Sequence, residues 1–243
     1  MATENRARAD AHGPAEGGHH HRDVSGGWLR PAVFGAMDGL VTNVSLIAGV
    51  GGGGADSHTI VLTGLAGLAA GACSMAAGEF VSVSSQNELI QAEVDKERLE
   101  LEHNAAAEQA ELATMLRHRG VSPATARQAA AEISAHPEKA LAVHALEELG
   151  IDPGDLPSPL VAAGASLASF AVGALIPLIP YLAGLDVLGF ALGLAAVAAV
   201  AGGGMVARLT ARPFWRGALR QLALGAAAAG ITYLIGILVG HVA

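Results

Sequence analysis

The sequence predicts an all-α integral membrane protein of five transmembrane helices, with a cytoplasmic three-helix module inserted between spans two and three. Three observations carry this. Of the 243 residues 52% are hydrophobic and only 15% are charged, and the mean hydropathy is +0.44, well to the membrane side of the soluble norm. Apolar runs long enough to cross a bilayer, which takes about 20 helical residues, fall at about 31–53, 60–85, 159–185, 187–207 and 217–240. Charge is segregated: residues 86–155 hold 14 acidic and 6 basic side chains, and the rest of the chain holds 8 of each. The whole formal net charge of −8 therefore sits in one acidic, water-facing segment. The expected divisions are a tail at 1–27, spans one and two at 28–87, the module at 88–155, and spans three to five at 156–243.

The tail is polar and Gly-rich and lacks the apolar middle of a signal peptide, so a disordered cytoplasmic segment is expected. Its His12, His19, His20 and His21 could bind metal weakly, although a bland flexible tail is the plainer reading. Span one carries Asp38 and span two carries Glu79. Spans three and four are free of charge and are separated only by a short turn around Gly184 and Asp186. Pro177 and Pro180 predict a kink in span three. Aromatic residues are scarce at 4% and Ala and Gly abundant, so the spans should pack through small residues. Gly35/Gly39, Gly67/Gly71 and Gly189/Gly193 have the spacing of helix contacts, a spacing that also arises by chance in a Gly-rich chain. The lone Cys73 lies in an apolar run, which excludes a disulfide framework and a thiolate metal cluster and leaves it a packing residue.

Orientation follows from the basic residues near span ends, because cytoplasmic loops carry the excess. Arg6, Arg8, Arg22 and Arg30 precede span one, and Arg208, Arg212, Arg216 and Arg220 cluster between spans four and five. Both groups belong inside, which puts the module inside and His241 with the C-terminus outside. The connector at 51–58 has no basic residue, as an outer loop should.

Within the module no Gly or Pro interrupts residues 86–119, so one helix is expected there. Ser122-Pro123 reads as an N-cap with proline at the first helical position, and His136-Pro137 restarts a third helix that ends at Gly150. At about 100° per residue, Glu93, Glu97, Glu100, Glu108 and Glu111 share an arc under about 90° wide, with no lysine or arginine among them. Such like-charge pairs each destabilise a helix by about 0.2–0.5 kcal/mol. A solvated acidic face is the bland alternative, but solvated helices interleave signs. A divalent cation would turn the repulsion into coordination. His144 and Glu148, four apart on the third helix, can add a nitrogen and a further carboxylate, and imidazole favours a transition metal over calcium.

The membrane acids obey a different argument, since a carboxylate at bilayer depth costs roughly 2.5–3.5 kcal/mol and marks an ion path or proton relay by default. Asp38, Thr42 and Ser45 share one face of span one, and Met75, Glu79, Ser82 and Gln86 share one face of span two. A structural pairing with polar groups of neighbouring helices is the alternative for both acids. If span two continues unbroken into the module, Glu79 and Glu97 are five turns apart on one face, about 27 Å.

Together DGLVTNVSLIAGVGG from Asp38, GACSMAAGEFVSVSSQNE from Gly71, the acidic insert ending in HALEELG and the final pair of Ala/Gly-rich spans resemble the vacuolar iron transporter family, in its bacterial and nodulin-like branch, over about residues 28–243. The resemblance implies a five-span homodimer that exports ferrous iron and related divalent metals from the cytosol against protons, serving iron detoxification or homeostasis, with a cytoplasmic metal-binding domain. Its paired ExxE motifs match Glu97 to Glu100 and Glu108 to Glu111, its third-helix ligand pair falls on His144 and Glu148, and its translocation aspartate and methionine match Asp38 and Met75. An acid that some relatives carry in span two corresponds here to Gly67, while Glu79 lies one turn beyond Met75. The expected partners are iron, manganese, cobalt or zinc as cargo, protons, lipid and a second copy, in the plasma membrane of a bacterium. No nucleic acid, organic cofactor or enzymatic chemistry is expected. A membrane-tethered metal sensor or buffer is the competing class. Ferritin-like chemistry lacks its second Glu-x-x-His motif in the spans and the module, where Glu100/His103 is the one match.

Overall fold

The computed structural model describes residues 27–242, and the tail histidines lie outside them. All regular structure among the described residues is helical. The order is α1 Leu29–Gly52, α2 Ser57–His103, α3 Ala105–His118, α4 Pro123–Ser134, α5 Pro137–His144, α6 Pro159–Leu175, α7 Ile179–Leu182, α8 Leu188–Leu209 and α9 Phe214–Gly240. Five helical segments are long and apolar enough to cross a membrane: α1, the first part of α2, α6 with α7, α8 and α9.

The starts and stops reflect local chemistry. Asp56 caps α2 by accepting from the Thr59 N–H at 2.8 Å, and Ser122 and Ser158 cap α4 and α6, each with proline at the first helical position. Pro177 and Pro180 break span three into α6, a tight turn at Ile176–Leu178, and α7. That is the kink the prolines predict.

The α1 helix is the hub of the bundle, packing on α2, α6, α8 and α9. It runs parallel to α6, with Gly35 against Ser166 and Ser169 and Gly39 against the Phe170 backbone. It also runs parallel to α9, where Gly49 meets Thr232 and Gly236 meets the Gly49 carbonyl. A Cβ at Gly39, Gly173 or Gly236 would enter a neighbouring backbone, so these contacts require glycine. Gly67 and Gly71 face Leu46 and the Phe170 ring, whereas Gly193 has nothing within 4 Å and Gly189 only Val187 at 3.9 Å. Gly189/Gly193 is therefore not a helix contact within one chain, and Gly203 against Gly217 holds α8 to α9 instead.

The expected single helix over residues 86–119 is two helices. The α2 helix continues from the spans to His103 and stops at Asn104, which leaves helical geometry at φ −126° and ψ 31°. The break lets α3 turn so that its apolar Leu112 and Ala113 pack on α4. The module thus consists of the end of α2 and three further helices.

Candidate metal centre

Each candidate ligand stands about one turn from a core residue. On α2, Val94 is buried with Leu141 and Ala145, which docks α5 and places Glu97 one turn further on. On α3, Leu112 and Ala113 pack with Ala130, Leu116, Ile133 and Val143, and Glu108 lies one turn before Leu112. His144 comes three residues after Leu141 and is fully buried. After it the chain widens into a π-helical turn, Ala145–Leu149, that ends on Gly150 at φ 69° and carries Glu148. The Arg119 guanidinium, at the end of α3, bonds Glu147 at 2.9 Å and ties that helix to the turn.

These elements bring Glu97, Glu108, His144 and Glu148 together, each offering one ligand atom, with the atoms all within 4.8 Å of one another. His144 Nδ1 lies 3.1 Å from Glu97 Oε1, 3.1 Å from Glu148 Oε1 and 3.9 Å from Glu108 Oε2. Only the contact to Glu148 has hydrogen-bond geometry; Glu97 Oε1 and His144 Nε2 are buried without partners. Burial raises the Glu97 carboxyl above its ordinary range, reinforced by the charge of Glu148 and opposed by His144. Glu97 lies past the apolar first part of α2, in its charged end. Burial likewise raises Glu108, with Glu111 adding to it and His144 opposing it. Three carboxylates and an imidazole held this closely form an oxygen-rich set with one nitrogen, suited to a first-row divalent ion.

Glu100 and Glu111 stand outside this group, on its rim. Glu100 is 3.9 Å from Lys96, and Glu111 is exposed, yet both are near enough to act on the inner carboxylates. Glu93 is exposed on α2 and takes no part.

The membrane residues do not converge in the same way. Asp38 on α1 is half-buried, one helical turn before Thr42. Met75 packs with Ala72, Phe170 and Ala174, and Glu79 is buried with Oε2 unpartnered. At Gly67 a Cβ would run into Leu46 and lie 3.4 Å from Asn43 Oδ1, so an acid there would require Leu46 to move. Sequence reasoning passed over Asn43, which is fully buried and donates to the Ala174 carbonyl at 2.5 Å. Its signal was a carboxamide in the same apolar run as Asp38. The Arg119 to Glu147 pair had no signal at all, since its partners meet only in the fold.

Residues 29–237 match the model of the VIT family. The chain belongs to that family. Among curated VIT-family relatives, it is 35% identical over 239 residues to the Vacuolar iron transporter homolog 5 of Oryza sativa subsp. japonica, covering 96% of this chain and 90% of the relative. It is 40% identical over 168 residues to the Vacuolar iron transporter of Acanthamoeba castellanii, covering 68% of this chain and 60% of that protein. The Vacuolar iron transporter homolog 1 of Oryza sativa is 34% identical over 230 residues, 95% of this chain and 76% of the relative. These VIT-family relatives carry transporter names.

Proposed function

We propose that this multi-pass membrane protein transports divalent metal, with ferrous iron as principal cargo and manganese, cobalt or zinc as related ones, out of the cytosol in exchange for protons. The observation that carries the reading is the continuity of α2. One 47-residue helix carries Met75 and Glu79 in its apolar first part and Glu97 in the four-residue cluster. The names of the relatives supply iron. In this reading Glu97, Glu108, His144 and Glu148 collect the ion, Glu100 and Glu111 draw it in from the rim, and Asp38, Met75 and Glu79 pass it through the membrane.

The arginines before α1 and between α8 and α9 support a cytoplasmic N-terminus and module and an external C-terminus. The placement is the plasma membrane of a bacterium. A homodimer is the proposed working unit, with Asp38, partly exposed in one chain, at its interface. Expulsion of cytosolic iron serves detoxification and homeostasis.

The test is ferrous iron flux into sealed proteoliposomes with and without a pH gradient. Flux that responds to the gradient and disappears in Asp38→Asn supports the reading. A protein that binds iron and moves none is the sensor or buffer instead.

A further inference from the structure

We infer that the turn between α8 and α9, with the first two turns of α9, binds the headgroup of an anionic phospholipid. Four arginines, Arg208, Arg212, Arg216 and Arg220, fall within this short stretch, and all four are exposed. Asp186 is the last acidic residue in the sequence, and none of the four joins an ion pair among the described residues. Arg208 sits in the last turn of α8, where the helix carbonyls favour a cation, and stacks 5.1 Å over the Phe214 ring. Of the other three, only Arg216 has a ring to stack on, that of Trp215. Arg216 lies in the first turn of α9, where the helix dipole disfavours positive charge, and that turn contains no acid and no side-chain cap, while Arg220 lies one turn further on. Three cations gathered at a helix start that has no acid are a cost to the free protein and an attraction to an anion.

The turn is built rather than loose. Ala211 holds φ 54°, a conformation alanine rarely adopts. The Arg212 N–H donates to the Ala207 carbonyl at 2.8 Å, and the Thr210 hydroxyl donates back into α8 at 3.0 Å. The Phe214 ring is lodged against Gly204, where any Cβ would displace it. These contacts fix the start of α9 relative to the end of α8.

The apolar length of α9 beyond the arginines selects a lipid over a free phosphate. At about 100° per residue Arg216 and Arg220 head a stripe of Leu224, Ile231, Leu234 and Leu238 that spans an arc of about 80°. All four apolar side chains are at least 60% exposed, as is Trp215, over which Arg216 stacks at 5.3 Å. A phosphate between the arginines would thus have an apolar track for its acyl chain directly below it, and an indole at headgroup level.

The test uses the full-length protein in an uncharged detergent, with bound lipid counted by native mass spectrometry. Phosphatidylglycerol and phosphatidylcholine of identical chains are compared, with glycerol phosphate as a soluble competitor. A basic residue near an anionic surface is worth roughly fivefold in affinity. Wild type is therefore expected to hold phosphatidylglycerol about a hundredfold more tightly than phosphatidylcholine. The triple variant Arg212→Gln, Arg216→Gln, Arg220→Gln should lose that preference, and each single change should reduce it about fivefold should the triple variant fold poorly. Removing three charges from the module, Arg117→Gln, Arg127→Gln and Lys139→Gln, should leave it intact. Equal retention of the two lipids by wild type overturns the inference. So does a preference that survives in the arginine variants, or one lost equally in the module variant. Full displacement by glycerol phosphate at an equal concentration would make this a site for soluble phosphate and overturn the lipid assignment.

Discussion

The module and the membrane bundle both carry carboxylates that the sequence marks as out of place, yet one chain completes the first set and leaves the second open. In the module, Glu97, Glu108, His144 and Glu148 come from separate stretches of helix and meet within 4.8 Å, with His144 wholly buried. In the bundle, Asp38 lies on α1 and Glu79 on α2, and neither belongs to a group of three or more such ligands among the described residues. A resting place for a dication needs several ligands at once, whereas a passage needs groups that hold it one after another and let go. The difference fits a storage end and a conducting end of one system.

The largest effect expected from breaking this contrast is in Asp38→Asn. The amide keeps the shape of the side chain and removes its charge, so iron flux in liposomes should fall to the background of empty vesicles while the affinity of the module, read by calorimetry on the same variant, stays at the wild-type value. Loss of both would mean that the two ends are not separable. The reverse pattern belongs to His144→Ala and Glu97→Gln, which remove a member of the cluster. Each should weaken metal binding by more than roughly a hundredfold, since even partners outside the ligand set cost 10–100-fold.

Stability against pH sharpens the same comparison. Glu97 and Glu108 are raised above their ordinary value of 4.5 by burial and by neighbouring carboxylates. The metal-free fold therefore binds protons more tightly than the unfolded chain. That contribution is complete below about pH 4.5 and is lost as pH rises through the raised values. Metal requires the ionised carboxylates, so thermal unfolding with excess manganese should show stability rising with pH over the window in which the metal-free protein loses it. Parallel curves would show that these carboxylates do not hold the ion.

Smaller again is Arg119→Ala. It opens the tie between α3 and the π-helical turn without touching a ligand, and should cost roughly tenfold in affinity with flux at saturating metal unchanged. Met75→Leu, which removes only a thioether from the cluster with Phe170, should reduce flux partly and shift the preference among metals. Iron and manganese competition in the flux assay would read that shift.

The spans, the caps and the kink at Pro177 and Pro180 were legible because each depends on a few adjacent residues: apolar length, a serine before a proline, a ring without an N–H. The pairing of His144 with Glu148 was legible for the same reason. Two things were not. The break at Asn104 contains neither glycine nor proline, and it arises because Leu112 and Ala113 gain burial against α4 by leaving the line of α2. That break decides which acids meet: it separates Glu97 from Glu108 in helical phase and rejoins them around the imidazole, leaving Glu100 and Glu111 at the rim. The failure of Gly189/Gly193 as a contact has a related cause, since spacing puts two glycines on one face but cannot say what faces them.

The length of α2 fixes more than distance. Because no break occurs between Glu79 and Glu97, their relative azimuth is set by helix geometry alone. Deleting one residue between Gln86 and Gln91 would swing everything beyond it by about 100° while shortening the rod by only about 1.5 Å. Inserting seven would carry the module about 10 Å away from the bilayer and turn it by only about 20°. The two ends of α2 are thus indexed to each other like teeth on one shaft, and angular register and separation can be altered independently in the same helix.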